Sequence, residues 1–168
     1  MKRSMRMLFS ILFVAGTVSA ARAQAVVVLV RHAEKVDESA ASALTAAGQA
    51  RARALGAMLK DAGIQAVFST DYRRTLDTAK PTAEAVSKLI EIYDGDDLAG
   101  FAKALRARGN RALVVGHSDT TPELVSLLGG ESGPPIASDE YDRIYLLTIY
   151  GDGKASTTLL RFPSGVEK

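Results

Sequence analysis

From Ala25 onward, short apolar runs alternate with longer stretches in which apolar residues recur every three or four positions. The first run, "AVVVLVR" (25–31), is apolar almost throughout, as expected of a strand covered on both faces. After it, Leu44, Ala47, Leu55, Met58, Leu59 and Ala62 keep helical spacing, with Thr45 as N-cap and Gly63 where the helix stops. "AVFS" (66–69) reads as a second strand, and Asp71 as the cap of a helix starting near Tyr72. Pro81 predicts a kink or a restart in that helix. "LIEIY" (89–93) is a third strand, followed by a helix capped by Asp96 that carries Leu98, Phe101, Ala102 and Leu105 and ends near Gly109. "RALVVGH" (111–117) is a fourth strand. Thr121 and Pro122 then read as N-cap and first residue of a helix ending at Gly129-Gly130. "DRIYLLTIY" and "ASTTLLRF" flank "GDGK" as a terminal hairpin.

Four strand–helix alternations followed by two strands predict an α/β fold. It would be a three-layer α/β/α sandwich, with a mostly parallel sheet and an antiparallel C-terminal hairpin at one edge. Ligands of such sheets bind beyond the carboxyl ends of the strands.

The residues before this pattern differ in kind. "MKRSMR" is basic, Met7–Val18 is apolar, and "SAARA" offers small residues for cleavage after Ala23. These are the three parts of a secretory signal, so a domain of residues 24–168 is expected to be exported, periplasmic or secreted. The alternative, an uncleaved membrane anchor, is opposed by an apolar run shorter than the ~20 residues of a spanning helix. Cleavage removes Lys2, Arg3, Arg6 and Arg22 and no acid. That leaves 17 basic against 19 acidic residues, a formal charge of −2 in place of +2. Nucleic acid is therefore not an expected partner, and no basic stripe with interleaved aromatics points to one. The chain has no cysteine and two histidines, His32 and His117, which excludes thiolate zinc sites and leaves little for a metal. Neither a metal nor another cofactor is expected.

His32 follows the first strand and His117 the fourth, so both imidazoles fall on one edge of a parallel sheet. Arg31 adjoins His32. Neighbours on a strand face opposite ways, so joint service to one ligand requires the backbone to leave the extended form there. Arg73 and Arg74 open the helix after the second strand. Cations in a first turn are unfavourable unless an anion lies in front of them, and one of the two is expected to turn inward. The competing readings are loop histidines, a metal held with Glu34 or Asp119, and solvent-exposed arginines.

"LVRHAEK", "FSTDYRRTLDTA" and "VVGHS", in this order, resemble the histidine phosphatase superfamily, in the branch that includes phosphoglycerate mutase-like enzymes. The likeness extends through "LTAAGQARARALGAML" and covers most of residues 26–130. It implies that His32 attacks phosphorus, that Arg31 and Arg74 (with Arg73 the alternative) bind the phosphoryl group, and that His117 donates to its oxygens. The general acid has no clear match; Asp94 and Asp119 are candidates. Glu34, close to His32, is a candidate substrate contact whose equivalents commonly have a structural role. Ala33 replaces the glycine of the commonest form of the motif, so its backbone must lie in an ordinary region.

The chemistry is coherent without the resemblance. A nucleophilic histidine must be neutral, and nearby arginines disfavour its protonation while stabilising phosphoryl charge. The expected activity is metal-independent hydrolysis of a phosphomonoester or phosphoramidate through phospho-His32, on an envelope or other extracytoplasmic substrate. The expected partner is a small phosphorylated molecule or inorganic phosphate, with a membrane involved only through an uncleaved signal. A mutase is disfavoured by the short chain, which lacks a long insertion. The alternatives are a phosphohistidine phosphatase and a catalytically weak phosphoryl-binding module. Specificity is expected from segments 36–42, 91–97 and 129–140.

Overall fold

The computed structural model describes residues 23–162. The expected export signal lies, but for Ala23, outside the described residues. The elements are β1 (Ala23–Arg31), α1 (Ala46–Leu59), β2 (Ala66–Ser69), α2 (Arg73–Ala85), β3 (Ile90–Ile92), α3 (Leu98–Arg108), β4 (Arg111–Gly116), α4 (Thr120–Leu127), β5 (Arg143–Tyr150) and β6 (Ala155–Arg161). They form one six-stranded sheet in the order β3-β2-β4-β1-β5-β6. β1, β2, β3 and β4 are parallel, and β5 and β6 add an antiparallel edge.

Alternation along the strands builds two cores. Val28, Val30, Val67, Leu113 and Val115 pack under Leu55 and Leu59 of α1 and Ala79 and Ala83 of α2. Val27, Leu29, Phe68, Ala112 and Val114 pack under Leu98, Ala102 and Leu105 of α3 and Leu124 and Val125 of α4. β1 and β4 are thus buried on both sides, the reason they read as unbroken apolar runs. Each fully buried Val or Leu contributes about 1.5–3 kcal/mol.

Four sequence expectations shift. α2 runs through Pro81 without a break. Gly56 of α1 lets that turn approach closely, since a Cβ there would lie 2.9 Å from the Pro81 carbonyl carbon. This helix-to-helix packing offsets a proline cost of about 3 kcal/mol. Tyr72, not Asp71, occupies the N-cap of α2, with no side-chain cap. α3 is capped by Asp97, whose carboxylate accepts from the Gly100 amide, while Asp94 accepts from the Asp96 amide in the preceding turn. α4 begins earlier than expected, with Asp119 as N-cap and Pro122 at the third helical position. Thr121 is buried and donates to the Val30 carbonyl at 3.3 Å, tying α4 to β1.

The exits of β1 and β4 adjoin. Arg31 pairs with Gly116, and the His32 amide donates to the Gly116 carbonyl at 2.8 Å. A Cβ at Gly116 would lie 2.7 Å from the Tyr93 hydroxyl and 3.0 Å from the hydroxyls of Thr120 and Thr121, so no larger residue fits at this exit. Because β5 runs antiparallel to β1, the 129–142 loop that leads into it arrives at the same edge.

Candidate functional site

His32 and His117 face each other across the two strand exits, their ring centroids 5.5 Å apart and edge to face. They line an open hollow of about 750 Å³ together with Arg31 and Arg74. His32 is buried, and its Nδ1 lies 2.8 Å from the Ala33 carbonyl. A carbonyl only accepts, so Nδ1 carries the proton and Nε2 keeps its lone pair. Burial, above all, pushes His32 down to about 3; Arg31, His117 and Arg74 add to this, and the Ala33 hydrogen bond opposes it. The imidazole is therefore neutral at physiological pH. Ala33 itself is fastened by its amide, which donates to the Thr78 hydroxyl at 3.0 Å. Among the described residues, Ser87 alone of the non-glycines has a positive φ, so Ala33 needs no glycine-like backbone.

His117 has the opposite tautomer. Arg74 Nη2 lies 3.4 Å from Nδ1, and a guanidinium only donates. Nε2 therefore carries the proton and donates to the Thr70 hydroxyl at 2.9 Å. Thr70 passes its own proton toward the Thr75 hydroxyl at 3.0 Å, and Thr75 donates to the carbonyls of Tyr72 and Thr70. Burial first, then Arg74, push His117 down to about 4, against the pull of Asp119.

The two arginines are held on their outer sides and open toward the hollow. Arg31, buried, donates through Nη1 to the carbonyls of Ala137 and Glu140 at 2.8 and 2.9 Å and lies 4.1 Å over the Tyr141 ring. Arg74 donates through Nη1 to the Ser39 carbonyl at 3.4 Å and lies 4.4 Å over the Tyr72 ring. The Nε atoms of both are buried without a protein partner. Two guanidiniums with spare donors beside a neutral imidazole form a setting for a tetrahedral oxyanion.

Two residues proposed from sequence do not join this group. Arg73 is exposed on the outer face of α2, 3.6 Å from Asp77 one turn later, because adjacent residues of a helix cannot share one direction. Glu34 is turned away and held by Arg51 of α1, with Arg51 Nε at 3.0 and 3.1 Å and Nη2 at 2.5 Å from its carboxylate. This pair joins the β1 exit to α1, where Gly48 is needed: a Cβ there would lie 2.3 Å from the Glu34 carbonyl oxygen. Asp94 and Asp119 both line the hollow, Asp94 in the turn before α3 and Asp119 at the start of α4. Among the described residues no group of three or more His, Asp or Glu could hold a metal ion.

Sequence reasoning missed Thr70, Tyr72 and Tyr141. Tyr72 stacks on Arg74 and meets the His117 ring at 5.0 Å. Their positions beside Arg73 and Arg74 and before β5 carried a signal only once the tertiary neighbours were known. The 129–140 loop, expected from sequence to contribute to specificity, supplies the carbonyls that hold Arg31. It is anchored in turn by buried Arg143, which donates to Glu140 and to the carbonyls of Pro134 and Pro135. These hydrogen bonds hold Glu140 down at about 2.

Comparison with known proteins agrees with this arrangement. The sequence model of the histidine phosphatase superfamily (branch 1) matches residues 27–102. No curated protein sequence matches the chain. Among solved structures, the protein histidine phosphatase SixA in complex with tungstate is 18% identical, with a TM-score of 0.66 over 81% of this chain and 96% of that one. A putative phosphohistidine phosphatase SixA from Nakamurella multipartitia is 20% identical, with a TM-score of 0.64 over 88% of this chain and 99% of that one. The alpha-ribazole phosphatase from Shigella flexneri is 16% identical, with a TM-score of 0.63 over 82% and 96%. The sequence match takes in the first two strand-exit motifs, and the solved structures share the fold that sets the third beside them: over residues 27–102 the chain is similar to the histidine phosphatase superfamily, branch 1.

Proposed function

We propose that the protein is a metal-independent phosphatase that hydrolyses phosphomonoesters through a phosphohistidine at His32. The observation that carries this reading is the unprotonated, unpaired Nε2 of a neutral His32 in a hollow lined by Arg31 and Arg74. The tungstate bound to the SixA relative, a tetrahedral oxyanion, supports a phosphoryl ligand for this hollow too.

In the first step the His32 Nε2 lone pair attacks phosphorus and the bond to the leaving oxygen breaks. The electron pair departs with that oxygen, which takes a proton from Asp94 or Asp119. Arg31 and Arg74 hold the equatorial oxygens as charge develops on them. His117 joins them by donating from Nδ1, which becomes available when the bound anion favours its protonation; Thr70 keeps the opposite nitrogen's proton in place. In the second step water attacks phosphorus, the N–P bond breaks, and the water's proton returns to the carboxylate. Phosphate leaves, and His32 is neutral again.

Turnover of p-nitrophenyl phosphate by wild type and His32→Ala tests the reading. Wild type should release phosphate and, after acid-free quenching, carry an acid-labile protein-bound phosphate; His32→Ala should do neither. Equal rates in the two proteins would instead indicate a weak phosphoryl-binding module. The SixA relatives favour a second reading, in which the substrate is a phosphohistidine. A P–N model compound hydrolysed far faster than any phosphoester would establish it. The basic and apolar residues before Ala23 support a substrate outside the cytoplasm. N-terminal sequencing of exported protein should read from Gln24, and retention of Met1 would refute export by cleavage.

A further inference from the structure

The hollow is unequally charged from wall to wall. At its anion-binding end, Arg31 is 7% exposed and, like Arg74, has an Nε without a protein partner. The loops after β2, β3 and β4, neighbours in the sheet, bring Asp71, Asp94, Asp96 and Asp119 to the lining. On the β1 side, Lys35 is engaged in an ion pair with Glu38. A phosphoryl dianion would take up the charges of the two guanidiniums. Four acidic side chains then remain along one wall, at least three of them charged while Asp94 or Asp119 holds the proton for the leaving oxygen, with no cation among the described lining residues left to balance them.

This imbalance acts on the rest of the substrate. A second anionic group would enter a field of like charges within about one Debye length, roughly 10 Å, while a cationic group would relieve it. The carboxylates are too dispersed to share a metal ion. A spread wall suits an organic ammonium, which can be approached from several sides. We infer that this site takes phosphomonoesters whose alcohol portion carries an ammonium group, the amino-alcohol phosphate class. The inference rests on the phosphatase reading only for its anion-binding end.

Three substrates of similar size separate charge from shape: O-phosphoethanolamine, propyl phosphate and phosphoglycolate, with cationic, neutral and anionic tails. Asp71→Asn/Asp96→Asn neutralises half of the wall and leaves Asp94 and Asp119 untouched. The quantity read is the wild-type to variant ratio of kcat/KM for each substrate, which cancels differences in leaving-group reactivity. The double variant should lose about fivefold to tenfold on O-phosphoethanolamine, stay within twofold on propyl phosphate and gain on phosphoglycolate. Added potassium chloride at 0.5 M should compress these differences. Equal ratios for the three substrates would overturn the inference while leaving turnover, and so the phosphatase reading, intact. If wild type turns over none of them, p-nitrophenyl phosphate decides the phosphatase reading separately. The wall is then judged by calorimetric binding of the same three compounds: O-phosphoethanolamine should bind tightest, and any other order overturns the inference.

Discussion

Replacing Thr70 by Val keeps the shape of the side chain and removes its hydroxyl. In the wild type that oxygen accepts the Nε2 proton of His117 at 2.9 Å and donates onward to Thr75 at 3.0 Å. Without it, a half-buried N–H faces a methyl group, a loss of about 1–3 kcal/mol. The imidazole can recover part of this by moving its proton to Nδ1, but it then loses its contact with Arg74. Either way the ring is no longer fixed in the orientation that the phosphoryl group requires. Thr70 acts through His117, so the damage should fall on kcat, with a reduction of about 10- to 100-fold and KM changed less than threefold. Stability should fall by about 1–2 kcal/mol, seen as a few degrees in Tm. Steady-state phosphate release from p-nitrophenyl phosphate, with thermal unfolding of the same samples, reads both effects. Thr70→Ser restores the hydroxyl and should recover most of kcat. A Thr70→Val enzyme within threefold of wild type, or a Thr70→Ser enzyme equally impaired, would refute the relay.

Arg74→Ala should lower kcat/KM at least 100-fold, whereas Arg73→Ala, removing an exposed partner of Asp77, should stay within twofold of wild type; equal losses in the same assay would contradict the assignment of the inward arginine. The depressed pKa of His32 makes stability pH-dependent: the unfolded chain binds a proton near pH 6.5 that the folded protein refuses until about 3. The contribution is fully present above about pH 6.5 and lost as pH falls, by roughly 3 kcal/mol between pH 6.5 and 4. Denaturant midpoints should thus fall less steeply with pH in His32→Asn than in wild type, and parallel curves would show that His32 titrates normally. Glu34→Gln removes the charge-assisted hydrogen bonds that Arg51 makes to this carboxylate and should cost about 1.5–3 kcal/mol in chemical denaturation, while the KM of folded enzyme changes less than twofold. A large KM change with normal stability would return Glu34 to the substrate.

Some of this protein is written locally. The runs that became β1 and β4 are apolar because each must be covered on two faces, and Thr45 and Gly109 mark helix ends through their own backbone and side-chain chemistry. The order of strands and helices follows from such signals, and so does the placing of His32 and His117 at two strand exits. Helix starts were less legible where several capping residues follow one another. Asp96 and Asp97 compete for one position, as do Asp119 and Thr121: the Asp96 amide is taken by Asp94 in the preceding turn, and the Thr121 hydroxyl is taken by the Val30 carbonyl of β1.

Side-chain direction and protonation belong to the tertiary structure. The sequence placed Arg73 and Arg74 in one helical turn, but only the packing of α2 beside β4 turns Arg74 toward His117 and leaves Arg73 in solvent. Glu34 stands two residues from His32 in the chain, yet the approach of α1 at Gly48 gives it to Arg51. The 129–142 loop, without recognisable chemistry of its own, holds Arg31 through two carbonyls because an antiparallel β5 must begin beside the end of β1. A chain can specify which residues arrive at a strand exit through patterns of burial. Which nitrogen of an imidazole keeps its proton depends on partners distant in sequence, and those exist only after the sheet has closed over its core.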